Sequence, residues 1–176
     1  MLITYEEYTA MMGNAEADRE KTEAALDAAG EMIEKWLHRK ILQGEYTEER
    51  YFDQPRDRMH LRGYPVAEVS ALTGAKQKHL DKANGILRFE APVCGAVSCT
   101  YTGGLEAIPT PIRQACALIA QALTQAAENG GKSMMSERLG DYQVMFYQAK
   151  EGRESELDGL SPAAAALLAP YRGINT

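Results

Sequence analysis

The fold of this chain is decided by residues 97–147, which read VSCTYTGGLEAIPTPIRQACALIAQALTQAAENGGKSMMSERLGDYQVMFY. Apolar side chains alternate with small polar ones at Val97, Cys99 and Tyr101, and this period of two predicts a half-buried strand. The Gly103-Gly104 pair ends that strand. Because no Lys-Ser or Lys-Thr follows the glycines, they predict a turn and not a phosphate-binding loop.

A helix follows the glycine turn. Pro109 and Pro111 flank its start, where proline is tolerated because a first-turn amide has no partner in the helix. Apolar residues then recur at three- and four-residue steps and predict one buried stripe: Ile112, Ala115, Cys116, Ile119, Leu123 and Ala126. Residues 129–131, Asn-Gly-Gly, end the helix. A polar loop follows, and the alternation over residues 142–146 predicts another strand.

The N-terminal 41 residues predict two helices. Thr4 is the N-cap of a short helix from Tyr5 to about Met12, with Glu7 at the third position of a capping box, and Gly13 ends that helix. Asn14 is expected to start a second helix over residues 15–38. The buried face of that helix is predicted from its apolar spacing: Leu26, Ala29, Ile33, Trp36 and Leu37.

The second helix ends in a basic run, Lys35, His38, Arg39 and Lys40. Two interpretations are open. The run either complements the negative end of the helix dipole in solvent, or it binds a phosphate group. The first is the commoner use of such charges.

The middle of the chain predicts a small antiparallel sheet. Short strand candidates are residues 51–52, 59–61 and 66–72, and Pro55, Gly63 and Gly74 separate them. Asn84-Gly85 predicts a tight turn into residues 86–89, since both residues tolerate positive φ. The basic segment from Lys76 to Lys82 is interpreted as a loop.

The C-terminal part predicts a charged linker over residues 150–156 and then one short helix. Ser161-Pro162 supplies an N-cap and a first-turn proline. The alanine-rich segment 163–168 forms the helix, and Pro170 is expected to end it. Residues 171–176 carry too few apolar groups to order themselves without a neighbour.

These elements predict an α+β fold, mainly a helical bundle with a small antiparallel β-sheet insertion. With 176 residues the chain is expected to form one domain. Its parts are the N-terminal helices (1–41), the β-rich insertion (42–104), and the central helix, loop-strand and C-terminal helix (105–176).

Composition narrows the function classes. The 45% hydrophobic and 25% charged content is ordinary for a globular protein. A net charge of −6 and a pI near 5.2 argue against a general affinity for nucleic acid. There is no apolar run of about 18 residues, so no membrane partner is expected. Two early glutamates and no basic segment at the N-terminus argue against a signal peptide, and cytoplasmic synthesis is expected.

No catalytic, cofactor-binding or metal-binding residue is predicted. Cys94, Cys99 and Cys116 are odd in number and match no zinc spacing, so the last two are interpreted as buried thiols. The three histidines are scattered. The polar residues of 136–141 lack a histidine to act as a base. Arg138 with its acidic neighbours is more consistent with ion pairs between subunits.

The chain resembles the head-to-tail connector proteins of tailed bacteriophages, also called adaptor or head completion proteins. Four sets of residues carry the resemblance, in the same order as in that family: Leu2-Ile3-Thr4 with the helix ending in residues 33–37; Tyr64-Pro65-Val66 with Val69; residues 101–104 with the helix around Gln114-Ala115-Cys116; and residues 136–142 with 167–172. Residues 42–84 fit the family less closely.

The resemblance implies a structural virion protein without enzymatic activity. Members form a closed ring of ~12 copies between the portal and the stopper or tail-completion protein, around the DNA exit channel. The protein would be assembled in the host cytoplasm and reside in the virion neck. DNA would pass through the ring without specific binding. The alternative is a DNA-binding or DNA-packaging accessory protein, which the lack of a long basic stripe disfavours.

Two surfaces are predicted on this basis. The first is a subunit interface at Glu137, Arg138, Asp141 and Tyr142. The second is a portal contact at Leu167, Leu168, Tyr171 and Arg172, since the C-terminal end commonly reaches toward the portal in this family. Tyrosine and arginine are enriched at the energetic centres of interfaces.

Overall fold

The computed structural model of the chain describes residues 1–13, 18–128, 136–139, 142–145 and 160–172. Its helices and strands follow in chain order: α1 (Tyr5–Met12), α2 (Arg19–Leu37), β1 (Gly44–His60), β2 (Val66–Thr73), β3 (Gln77–Asp81), β4 (Ile86–Gly103), α3 (Thr110–Glu128), β5 (Ser136–Leu139), β6 (Tyr142–Met145), α4 (Pro162–Leu168) and a 3-10 helix (Ala169–Tyr171). Strands are about as common as helices, so the predicted α+β class is confirmed, but the description as mainly a helical bundle is wrong.

The described residues divide into two compact units. The helical unit contains Met1–Leu37 and the described part of Pro109–Arg172, and the β unit contains His38–Ile108. The single-domain organisation with parts at 1–41, 42–104 and 105–176 stays a prediction.

The predicted capping box of α1 is confirmed. The Glu7 amide donates to Thr4 Oγ1 at 3.2 Å, and the Thr4 amide donates to Glu7 Oε2 at 3.0 Å. Gly13, with a φ of 67°, closes the helix by donating its amide to the Thr9 carbonyl. Each end of this short helix therefore has a capping hydrogen bond, as the sequence indicated.

The start of α2 was predicted wrongly. The helix begins at Arg19 and not at residue 15, while Asn14, the expected cap, lies outside the described residues. Asp18 precedes the helix and its Oδ1 accepts a hydrogen bond from the Lys21 amide at 3.3 Å. A carboxylate next to the helix start pairs a free amide and favours the positive end of the dipole. The helix ends before His38, whose φ is 54°.

The core of the helical unit lies where α3 packs against α2 and α4. All five apolar residues predicted for the buried face of α2 are buried, as are Ile112, Ala115, Cys116 and Ile119 of α3. The stripe on α3 ends sooner than predicted, because Leu123 is half-buried and Ala126 is exposed.

The C-terminal helix starts and ends as predicted. The Ala164 amide donates to Ser161 Oγ at 3.2 Å, and Pro162 follows the cap. The α-helix ends at Leu168, before Pro170, as predicted. Pro170 itself lies inside the 3-10 helix that follows, over Ala169–Tyr171, where its missing donor is tolerated near the start of the turn.

Two strands precede α4 in the chain and pair as an antiparallel hairpin, with Arg138 opposite Gln143. The strand predicted at residues 142–146 is confirmed as β6, with Phe146 outside the described residues. The prediction that residue 136 and those after it form a polar loop is wrong, since Ser136–Leu139 form β5.

The β unit is one four-stranded antiparallel sheet in the order β1-β4-β2, with β3 also paired to β4. Both β1 and β4 are long and irregular. The register of β1 shifts on either side of Arg56, and Gly95 in β4 has a φ of 104°. Such bulges bend and twist a sheet. The two halves of β4 can therefore share one core: Met59, Leu61, Val66, Leu87, Phe89, Val97, Cys99 and Tyr101.

A polar bridge crosses the core of the β unit. The buried Tyr101 hydroxyl accepts a hydrogen bond from the Gly63 amide at 2.7 Å and donates to Glu48. Glu48 also accepts from the Arg62 amide at 2.6 Å. Burial, followed by the hydrogen bond to Glu48, raises the pKa of Tyr101 above its ordinary value. The bridge ties the 61–64 turn to β1 and β4.

Candidate interaction surfaces

The residues predicted for the portal contact lie at the end of the helical unit. Leu168 is completely buried, so it belongs to the core of its own protomer, and Leu167 is half-buried. Tyr171 is half-buried and Arg172 is exposed. The Arg172 Cζ lies 5.0 Å from the centroid of the Trp36 ring, a distance that suits a cation–π contact. The polar atoms available to a partner at this end are therefore those of Tyr171 and Arg172.

The residues predicted for the subunit interface fall on the β5–β6 hairpin. Glu137 and Arg138 lie in β5, and Tyr142 begins β6, directly opposite Leu139. Asp141 lies outside the described residues.

Part of the basic run at the end of α2 makes contacts within the β unit. Arg39 donates through Nη2 to the Tyr64 carbonyl, and its Cζ lies 3.7 Å from the centroid of the Tyr64 ring. Arg39 therefore contacts both the backbone and the ring of Tyr64. Because the guanidinium group is already engaged there, the interpretation of this basic run as a phosphate site is disfavoured.

The thiols are in the environments that the sequence indicated. Cys99 and Cys116 are buried and Cys94 is exposed. Burial raises the pKa of Cys99 to about 11 and that of Cys116 to about 12. A thiol with so high a pKa is protonated at neutral pH and is a poor nucleophile.

Within the described ranges, no group of three or more His, Cys, Asp and Glu side chains could hold a metal ion. None of the helices described is both long enough and apolar enough to cross a membrane. An open groove of about 480 Å³ lies along β1. It is lined by residues 50–52 and 56–60. Burial and the nearby Arg58 and Arg50 lower the pKa of His60 at this groove.

Two charged surfaces were not identified from the sequence. One is an acidic stripe along α2, formed by Glu20, Glu23, Asp27, Glu31 and Glu34. The other is a row of basic side chains across three strands of the β unit, formed by Arg58, Arg88 and His79. The spacing of the stripe was legible in the sequence. The basic row could not be recognised from the sequence, because it depends on the register of three strands.

Comparison with known proteins identifies the family. The family model described as "HCP: Head completion protein" matches residues 1–129. Because this match covers well over half of the chain, the chain belongs to the head completion protein family. Membership makes it a structural, non-enzymatic protein of the bacteriophage virion. No curated protein matches the chain.

Three solved structures share the fold. A chain from the neck of an empty gene transfer agent (GTA) particle, computed with C6 symmetry, aligns with a TM-score of 0.62 and 18% identity over 99% of this chain and 91% of that one. A chain from the native GTA neck, computed with C12 symmetry, aligns with a TM-score of 0.55 and 18% identity, over 88% of this chain and 83% of that one. A chain of the native GTA virion aligns with a TM-score of 0.56 and 20% identity, over 91% of this chain and 80% of that one.

Proposed function

We propose that this protein is the protomer of the head-to-tail adaptor ring, which joins the portal to the stopper or tail-completion protein around the DNA exit channel. The observation that carries the proposal is the combination of family membership with a fold shared with a chain from a neck computed with C12 symmetry. A ring of about 12 copies is a closed cyclic assembly built from one repeated head-to-tail contact. The virion neck is then its location, and the host cytoplasm its place of assembly.

An acidic protomer is compatible with this position. Each copy carries a net charge of −6. A ring of such copies has a negative field that repels phosphates, so packaged DNA passes without being held. Binding to the portal and to the stopper or tail-completion protein then depends on surfaces of the ring and not on the DNA.

The portal contact is proposed at the C-terminal end of the chain, through Tyr171, Arg172 and the residues after them, with Leu167 beside them. Arg172 lies over the Trp36 ring, and this contact does not use the hydrogen-bond donors of the guanidinium group. A short tail beyond an ordered arginine can add to a sheet edge or lie in a groove of a partner.

Truncation tests the portal contact. Removing residues 171–176 deletes Tyr171 and Arg172 but leaves Leu168 and the rest of the helical core, so the protomer should remain folded and soluble. We expect the truncated protein to lose co-purification with portal. The matched control keeps the full length and changes only exposed Ala169 to Ser, which should bind as the wild type does. If the truncated chain binds portal as well as the full-length chain does, the docking surface lies elsewhere on the protein.

The subunit interface is proposed on the β5–β6 hairpin, at Glu137, Arg138, Asp141 and Tyr142. Reversal of Arg138 to Glu should reduce ring formation, since a like charge replaces an opposite one at the contact. The Arg138→Lys variant keeps the charge and serves as the control. Size-exclusion chromatography and electron microscopy measure the outcome, and normal rings from Arg138→Glu would remove this residue from the interface.

A further inference from the structure

The β unit carries three basic side chains directly beside one another. Arg58 of β1 is paired with Arg88 of β4, and Arg88 is paired with His79 of β3. The neighbouring Met59 and Leu87 are buried, so the alternation of the strands turns the basic row outward. All three members of the row are exposed. Like charges directly opposite each other destabilise a sheet, so the fold alone gives no reason for the arrangement.

Both outer strands add basic residues at this place through irregular pairing. The register of β1 shifts on either side of Arg56, and that of β3 shifts at Lys78. Bulges re-aim side chains at sheet edges. Asp57 offsets part of the charge, since its Oδ1 lies 3.1 Å from Arg58 Nε. The side chains of Arg56, Lys78 and Arg88 make no hydrogen bond or salt bridge to any residue that the structure describes, although Asp57 also attracts Arg88 and Asp81 attracts His79 electrostatically.

The acidic stripe on α2 has the opposite charge. At 100° per residue, its five carboxylates fall within an arc of about 80° and extend over ~21 Å of the helix. They lie away from the buried face that holds Leu26, Ala29 and Ile33. Glu23 is paired with Arg19 at 2.8 Å and Asp27 lies 3.5 Å from the N-terminal amine, while the side chain of Asp27 is still 63% exposed.

The charge of the chain is divided between these regions. Residues 1–37 contain 3 Lys and Arg against 9 Asp and Glu, which gives −6. Residues 38–108 contain 10 Lys and Arg against 9 Asp and Glu, together with all three histidines, which gives +1 before any histidine is protonated. Two copies of the chain can therefore attract each other through unlike regions although their net charges repel.

We propose that the outer face of the three-strand segment with Arg58, Arg88 and His79 binds the acidic stripe on α2 of a second copy of this chain. Every copy carries one basic row and one acidic stripe, so the contact can repeat from copy to copy. A repeated contact between unlike surfaces generates a ring when the rotation closes. The inference rests on the proposed adaptor ring and names one lateral contact that builds it.

A second copy fits the basic row better than DNA does. Asp57 next to Arg58 matches an ionic contact between proteins, in which both signs occur on each side, but it would repel a phosphate backbone. The net charge of −6 also opposes approach to DNA. The stripe on α2 supplies carboxylates at repeated spacing, with which arginine forms bidentate hydrogen bonds.

Charge reversal and recombination test the contact. One variant carries Arg58→Glu and Arg88→Glu, and a second carries Asp27→Lys and Glu31→Lys. Sedimentation velocity of the full chain at low salt measures self-association. Each variant alone should associate at least about tenfold more weakly than the wild type, because attraction becomes repulsion at two surface pairs. An equimolar mixture of the two should regain association, since each reversed surface then meets its complement.

Three controls separate this contact from general effects of charge. Arg58→Lys with Arg88→Lys keeps the charge of the row but not its bidentate hydrogen bonds, and should associate much more strongly than the variant with glutamates. Glu68→Lys with Glu106→Lys changes exposed acidic residues of the β unit by the same net charge as the stripe variant and should not weaken association. Circular dichroism checks that each variant is folded, and a variant that is unfolded is replaced by its single substitution, Arg88→Glu or Glu31→Lys.

The possible results decide the matter. Loss in both variants and recovery in the mixture supports the contact, and association should weaken as salt is raised. A wild type that stays monomeric at low salt, or a mixture that does not recover, overturns it. Duplex DNA binding that disappears with Arg58→Glu and Arg88→Glu, while association is unchanged, would assign the row to DNA instead. If the copies associate through this contact but form open chains and not rings on the portal, the contact stands and the adaptor function fails.

Discussion

At the scale of single residues, Trp36 links the core of the helical unit to its C-terminal end. It is 5% exposed, and Arg172 lies against its ring. We expect Trp36→Ala to lower the free energy of unfolding by about 3–5 kcal/mol, because a large buried side chain leaves a cavity. Urea unfolding measures the change. It is followed by far-ultraviolet circular dichroism, because the variant lacks the sole tryptophan of the chain and so has no tryptophan fluorescence to follow.

Lys35 provides the control for that substitution. It precedes Trp36 in α2 and is exposed, so Lys35→Ala should change the free energy of unfolding by no more than about 0.5 kcal/mol. A loss below roughly 1 kcal/mol for Trp36→Ala would contradict the packing of α2 described above.

The buried thiols give the stability a dependence on pH. Because the pKa values of Cys99 and Cys116 are raised to about 11 and about 12, the unfolded chain loses these protons at a lower pH than the folded one. Their contribution is complete below the ordinary thiol pKa and is lost as the pH rises through the folded values. We expect the free energy of unfolding to fall above about pH 9, and to fall less steeply in a Cys99→Ala/Cys116→Ala variant. Equal slopes in the two proteins would contradict the burial of the thiols.

At the scale of elements, the end of β4 depends on a close approach of two backbones. Gly104 has a φ of 102°, and a Cβ placed on it would lie 2.1 Å from the Leu42 carbonyl oxygen. We expect Gly104→Ala to lower the free energy of unfolding by more than about 2 kcal/mol, from backbone strain and overlap together. Thermal or chemical unfolding measures the loss.

Gly95 is the matched control for this turn. Its φ is 104°, but a Cβ there would meet nothing within 4 Å. Gly95→Ala therefore introduces the strain without the overlap and should cost about 1 kcal/mol. Equal losses at the two glycines would show that the approach to Leu42 contributes nothing.

Elements with a strong local signal could be predicted from the sequence. The capping box of α1, the Ser161 cap of α4, the glycine end of β4 and the proline start of α3 all depend on residues within a few positions of each other. Five of the eight buried residues of α2 also follow from spacing, whereas the burial of Thr22, Ala25 and Gly30 was not predicted. Local chemistry decides these features, so one stretch of sequence is enough.

Elements that depend on pairing could not be predicted in this way. The sequence indicated two short strands where β1 is continuous over 17 residues, because Pro55 looked like a break. Pro55 lies within the register shift between Phe52 and Arg56 of an edge strand, where no ladder donor is needed. The predicted loop from Lys76 to Lys82 contains β3, which shows little alternation and is a strand because β4 pairs with it.

The candidate surfaces follow the same division. The acidic stripe on α2 can be read from the spacing of its carboxylates, whereas the basic row combines residues from three strands. Residue type alone does not show whether an apolar side chain at a helix end contacts a partner. Leu168 was predicted to contact the portal, but its side chain is buried in the core of its own protomer. Burial within the folded chain decides which apolar residues remain for contacts.

At the scale of the whole molecule, the chain belongs to a family of structural virion proteins, and we propose that its copies repeat around a ring. Membership in the head completion protein family gives the structural role. The chain shares its fold with a chain from the neck of the native GTA particle, and the ring of copies is our proposal. The division of charge between residues 1–37 and 38–108 supplies attraction between copies whose net charges repel.

Electron cryomicroscopy of this protein bound to its portal tests the central claim most directly. We expect a closed ring of about 12 copies stacked coaxially on the portal, on the side from which DNA leaves. Symmetry-free classification of the particles gives both the copy number and the position. A protein that remains monomeric beside free portal, or one that binds the portal away from its axis without closing a ring, would contradict the proposed adaptor function.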